Sequence, residues 1–202
     1  MTPTEIGNMA LARIGSLRMN TLDEGSVHAI QIRLHYEQTR DALLRSHLWQ
    51  FAKGRKVLSE DTESPAFGWD NQFELPSELL RVVSIHGDEY NPIDSTRYSY
   101  VIEGNFILTD EDEVNLLYVK KVTDPNDFDP LFVEVLVLSL AVKVVMPLGG
   151  GAKMREALQE ELKGLLSTVR TISKQESNTK GLNDYNRWID NRISRRDPSR
   201  LS

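Results

Sequence analysis

HLWQFAKGRKVL, His47 to Leu58, is the stretch whose reading decides the fold. Two large aromatics, Trp49 and Phe51, stand against a small basic cluster of Lys53, Arg55 and Lys56, with nothing on either side that has the pattern of a catalytic nucleophile or a metal-ligand set. Before it, apolar residues recur with the period of a helix. After it, they alternate with period two and turn residues appear. The stretch is therefore expected to be the exit of a helix into a sheet, with Trp49 and Phe51 packed at the junction, because aromatic side chains bury roughly 150–250 Å² each. A nucleic-acid strip is the competing reading. It needs exposed rings and a positive groove, and the body of this chain is acidic.

Working back from His47, a helix is expected to start near Ser26. At about 100° per residue, Ala29, Ile32, Tyr36 and Leu43 gather on one side, and Val27, Ile30, Leu34 and Leu48 on nearly the opposite side. A helix on the outside of a monomer needs one apolar stripe. Two imply a central place in a bundle or a face given to a neighbouring subunit, which makes Val27, Ile30 and Leu34 the subunit-interface candidates. Further back, Thr2-Pro3-Thr4-Glu5 is a helix start, with Thr2 as cap, Pro3 in the first turn and Glu5 three residues after the cap. Ile6, Met9, Ala10 and Ile14 share a face, and Gly15 closes that helix.

Working forward, ESPAFGWDNQFELP is loop-like, LLRVVSIH and EVNLLYVK are strands, and YSYVIEGNFILTD carries Gly104-Asn105 between two apolar runs, a hairpin signal. TDPNDFDP, Thr123 to Pro130, marks the return to helix. The next helix runs from Leu131 to Pro147 and the Gly149–Gly151 turn. A last amphipathic helix follows, with Met154, Ala157, Leu158, Leu162, Leu165 and Val169 expected inward. The expected class is α+β: a four-helix bundle made of residues 1–49 and 123–176, an inserted antiparallel β-rich domain over 50–122 with its strands in one sheet, and a flexible C-terminal tail over 177–202, too polar to fold alone.

Composition narrows the function. With 202 residues, 40% hydrophobic and 27% charged, the chain can bury a sizeable core. A net charge of −6 opposes nucleic-acid binding by the surface as a whole. Residues 181–202 carry five arginines and three aspartates, so this +2 segment leaves −8 on residues 1–180. The lack of cysteine excludes disulfides, thiolate zinc sites and thiol catalysis. No secretory signal is expected at the N-terminus. The most apolar run, Leu131 to Gly149, contains Glu134 and Lys143 and reads as a buried helix rather than a membrane span.

Candidate chemistry is sparse. His28 and His35 are two helical turns apart, beyond shared metal coordination, and neither a metal nor another cofactor is expected. Asp110, Glu111, Asp112 and Glu113 are dense enough to raise glycoside hydrolysis, but their spacing in sequence cannot place a pair across a sugar. The glycine triplet lacks the Gly-Lys-Ser/Thr ending of a phosphate-binding loop. In the tail, Tyr185, Arg187, Trp188, Arg192, Arg195 and Arg196 read as anchors for a protein partner, since Trp and Arg are over-represented at interface hot spots.

Taken in order, ALARIGS, YEQTRDALLRSHLWQFAKGRK, FELPSELLRVVSI, YVIEGNFILTD, LLYVKKVTDPNDFDPLFVEVLVLSLAVKV and the helix after the glycines resemble the tail tubular protein A family, the head-to-tail adaptors of short-tailed bacteriophages. The resemblance covers about residues 2 to 175. It implies a non-enzymatic structural protein of the virion tail, assembled in the host cytoplasm. It implies a ring, a dodecamer, between the portal protein and the lower tail or nozzle protein, with DNA passing through the channel without specific binding. It further implies that the C-terminal segment reaches toward the portal. The alternative is a carbohydrate hydrolase acting on the cell envelope through carboxylates of the β domain.

Overall fold

The computed structural model describes residues 1–61, 63–86 and 99–177. The chain divides into two compact units, 1–162 and 163–202. The first contains helices α1 (Pro3–Arg13), α2 (Val27–Ser46) and α3 (Pro130–Val144), and the strands β1 (Lys53–Leu58), β2 (Asn71–Glu74), β3 (Leu79–Ile85), β4 (Tyr100–Glu103), β5 (Phe106–Thr109) and β6 (Val114–Lys120). Helix α4 (Ala152–Ser177) begins in the first unit and ends in the second. The fold is α+β, four helices flanking an inserted antiparallel β unit.

The local chemistry of the helix ends matches the elements it delimits. Thr2 accepts from the Glu5 amide while the Glu5 carboxylate accepts from the Thr2 amide, a complete capping box. Gly15, at φ +67, ends α1 with its own amide on the Ala12 carbonyl and the Ser16 amide on Leu11. That is the paired closure in which a left-handed residue is required, so glycine stands there. Ser26 caps α2 through the Ala29 amide. Asp129 caps α3 through the Leu131 amide, with Pro130 opening the first turn.

The β unit differs from the single sheet expected. It forms two antiparallel three-stranded sheets, ordered β1-β6-β3 and β2-β5-β4. Leu58, Phe73, Leu75, Ile85, Ile107, Val114, Leu116 and Tyr118 form one buried cluster drawn from both sheets. β2, which lies in the stretch read as loop, has four residues and only one apolar side chain, Phe73, which is too little to register as alternation. Its pairing with β5 and the burial of Phe73 specify it instead. The Gly104-Asn105 hairpin joins β4 and β5, with Gly104 at φ +58 supplying the positive angle that a tight hairpin turn demands.

Helix α3 is the centre of the helical layer. Phe132, Val135, Leu136, Leu138, Leu140, Ala141 and Val144 are fully buried, and the helix packs on both α1 and α2. Such burial around most of the circumference explains why α3 reads as uniformly apolar. Arg13 of α1 reaches Glu161 of α4 at 2.9 Å and Glu134 of α3 at 3.9 Å, both exposed. In α4 the expected inward stripe is only partly covered. Leu158 and Val169 are buried, Leu162 and Leu165 are half-buried, and Met154 and Ala157 are exposed. The apolar stripe at the start of α4 is thus wider than the surface that meets it.

Candidate assembly surface

Helix α2 carries the surface of interest. Its inner side buries Ala29, Ile32, Tyr36, Thr39, Arg40 and Leu44. Leu44, rather than Leu43, is the fully buried leucine at the C-terminal end, and Leu43 is half-covered. The approach of α1 is close. A methyl group at Gly7 would meet Ile32 Cγ2 at 2.8 Å and overlap the Met19 methyl. Met19 is itself held by Asn8, which accepts from its amide and donates to its carbonyl, both at 2.9 Å.

On the other side of α2, Val27, Ile30 and Leu34 are 60%, 41% and 60% exposed. Their i, i+3, i+7 spacing makes a stripe two turns long. Leu48, expected to extend it, is half-buried beyond the helix end. After Leu34 the same side continues as Glu37, Gln38 and Asp41, so the uncovered apolar area is confined to the first half of the helix. Beside Gln38, an open cleft of about 400 Å³ is lined by His35, Gln38, Val142, Lys143, Met146 and Arg155.

The second half of α2 is tied to the sheet. The buried Arg40 donates from Nε to Asp41 Oδ1 at 2.8 Å, and Asp41 Oδ2 meets Lys121 Nζ at 3.1 Å, just past the end of β6. Burial pushes the Asp41 carboxyl up, but hydrogen bonds and charge from Arg40 and Lys121 outweigh it and hold the group below its ordinary value. Tyr36, one turn before Arg40, has its hydroxyl buried with no hydrogen-bond partner among the described residues. Burial raises its pKa to about 12, partly opposed by the Arg40 charge.

At the helix–sheet junction, Trp49 is 5% exposed and Phe51 is half-buried. Trp49 lies edge-on to Phe132 at 5.1 Å and to His47 at 5.0 Å, and its indole N–H donates to the Leu43 carbonyl at 3.1 Å. Phe51 meets Phe132 at 5.2 Å and Phe128 at 5.9 Å. The junction is thus a four-ring cluster whose second pair comes from the far side of the β unit in sequence. The basic residues that follow lie on β1, paired with β6. Gly54 faces Tyr118 there, and a methyl at Gly54 would lie 2.5 Å from Tyr118 Cζ, so the ring fills the space a side chain would need.

The remaining sequence candidates stand apart from this surface. Asp110 to Glu113 form the turn between β5 and β6, where Asp110 accepts from the Asp70 amide at 3.2 Å and Glu113 from the Asn115 side chain at 2.8 Å. Among the described residues no group of three or more His, Asp or Glu is placed to hold a metal ion, and no helix is long and apolar enough to cross a membrane. Tyr185, Arg187, Trp188, Arg192, Arg195 and Arg196, with the tail assigned to 177–202, lie outside the described residues save for Ser177, the last residue of α4. Sequence reasoning missed the cleft beside Gln38, because its lining residues come mainly from three helices and share no spacing. The chain matches no protein-family model and no curated protein.

Proposed function

We propose that the chain is a structural, non-enzymatic ring-forming adaptor, of the kind that joins the portal protein to the lower tail protein in short-tailed bacteriophages and gives passage to DNA. The observation that carries this reading is the stripe Val27, Ile30, Leu34, left uncovered on a helix whose opposite side is fully packed. Three large aliphatic side chains in register on a helix form an interaction surface rather than scattered exposure. Contact between this stripe and a different patch on the next copy is heterologous, and heterologous contacts close into rings when the rotation permits. The ordered resemblance over residues 2 to 175 supplies the kind of ring, a dodecamer between portal and nozzle, and the virion tail as its place.

The acidic body suits a conduit. Each lysine or arginine set against a phosphate adds affinity for DNA, and a channel that must release DNA works better with neutral or negative walls. The arginine-bearing segment 181–202, opposite in charge to the body, is assigned in this reading to the portal. Arginine suits such a joint because its planar fork meets carboxylates in bidentate geometry.

The test is Val27→Glu with Leu34→Glu. Both positions are well exposed, so unfolding should shift by less than about 0.5 kcal/mol, the usual range for surface substitutions. Assembly with portal, followed by sedimentation and electron microscopy, should be lost. A double variant that still assembles into rings on the portal would remove the stripe from the interface.

A further inference from the structure

The sheet β2-β5-β4 has a second face that the core does not use. Phe73 and Ile107 point into the buried cluster, so the residues alternating with them, Gln72 and Glu74 on β2 and Phe106 and Leu108 on β5, belong to the opposite face. Val101 and Glu103 join them from β4 as the register partners of Leu108 and Phe106. The outer face of an antiparallel sheet is ordinarily polar. Here it carries Phe106, Leu108 and Val101, and the loop Pro65–Trp69 stands over it to form a groove of about 330 Å³ lined by Phe67, Trp69, Phe106, Leu108, Gln72 and Glu103, among others. Phe67 is 88% exposed, an apolar ring left in water at the mouth of an aromatic groove.

Charge identifies what the groove fits. In sequence, residues 59–76 and 99–113, which include all three strands of this sheet, contain ten aspartates and glutamates and no lysine or arginine. Phe106 is paired with Glu74 on one side and Glu103 on the other. With strands about 4.8 Å apart, the backbones at Glu74 and Glu103 stand about 10 Å apart on either side of Phe106, with Glu103 lining the groove and Glu74 in register across the ring from it. The faces of aromatic rings are negative, so ring and carboxylates all favour a cation between them. A neutral ligand would use the apolar walls and leave this potential without a counterpart.

We propose that this groove binds an arginine side chain from a segment of another protein chain, with its guanidinium over Phe106 between Glu74 and Glu103 and its methylene stem along Phe67, Trp69 and Leu108. Arginine is favoured over lysine because its planar cation stacks on a ring while its fork donates to carboxylates. The site is separate from the α2 stripe and does not depend on ring formation.

The experiment is a titration of the full chain with a blocked peptide, Gly-Arg-Gly-Arg-Gly, read by the NMR signals of the Trp69 indole and the Phe106 amide. The buried Trp49 indole reports on the fold throughout. Saturable shifts of Trp69 and Phe106 are expected, weakening with added salt. The same peptide with citrulline in place of arginine should bind at least about tenfold more weakly, a difference of roughly 1.4 kcal/mol. Glu74→Gln with Glu103→Gln should produce the same loss with Trp49 unmoved, and Phe67→Ala should weaken binding while leaving the salt dependence in place. Equal binding of the citrulline peptide, unchanged binding by the double glutamine variant, or stronger Trp69 shifts with a neutral disaccharide such as cellobiose would each overturn the assignment.

Discussion

Trp49→Ala tests the junction on which the fold turns. The ring is 5% exposed, rests edge-on against Phe132 and His47, and donates its only polar hydrogen to the Leu43 carbonyl near the end of α2. Truncation removes the packing of a large aromatic, which costs about 3–5 kcal/mol, and leaves the Leu43 carbonyl without this donor, a further ~1 kcal/mol where water cannot replace it. Against a typical total stability of about 5–15 kcal/mol, a loss of 3–5 kcal/mol is a large fraction. For a chain of this size, each kcal/mol moves the melting temperature by about 2–4 °C, so a fall of roughly 6–20 °C is expected. Urea unfolding followed by far-ultraviolet circular dichroism measures it, and an unchanged m-value would place the effect in the folded state. Trp49→Phe separates the parts, since it keeps an edge-on ring and loses the hydrogen bond, with an expected cost of about 1–2 kcal/mol. A Trp49→Ala variant within about 0.5 kcal/mol of the parent would show that the ring carries no packing. The helix–sheet junction would then have to be explained without it.

Tyr36→Phe should leave stability unchanged or raise it by up to about 1 kcal/mol, because it removes a buried hydroxyl that has no partner among the described residues; a loss beyond 1 kcal/mol on urea unfolding would reveal a partner for that hydroxyl. The pKa of Tyr36, raised to about 12 from 10.0, means the folded state holds its proton more tightly, so its contribution is full below pH 10 and is lost as pH rises toward 12. Tyr36→Phe should flatten the alkaline fall in stability over that window. The Asp41 carboxyl is depressed, so its contribution is full well above its ordinary value of 3.8 and is lost as pH falls through and below that value. Asp41→Asn should therefore be less stable than the parent at pH 7, and the difference should shrink in urea titrations toward pH 3.

The helices were legible because their ends are written locally. Thr2-Pro3-Glu5, Gly15, Ser26 and Asp129-Pro130 each satisfy or redirect backbone groups within four residues, so a reading of short windows finds them. The Gly104-Asn105 hairpin was legible for the same reason. The second sheet was not, because β2 depends on Phe73 meeting Ile107 and on pairing with residues more than thirty positions away. Phe128 and Phe132 complete the junction begun by Trp49 and Phe51, yet nothing near His47 announces them. Of the candidate assembly surface, the Val27–Ile30–Leu34 stripe followed from helical period alone, whereas Leu44 takes the buried place expected of Leu43, because adjacent residues differ by about 100° and the packing partners decide between them. The cleft of His35, Lys143 and Arg155 and the groove under Phe67 arise from tertiary proximity, which no periodicity encodes.

The mass of the full-length chain in solution, alone and after mixing with portal protein, tests the central claim most directly. Native mass spectrometry with sedimentation velocity reads it without labels or variants. The adaptor reading predicts a closed ring of identical copies on the portal, twelve in number, with the ring lost when Val27 and Leu34 become glutamate. A chain that stays a single copy in both conditions, at concentrations where the portal itself is fully assembled, would contradict it.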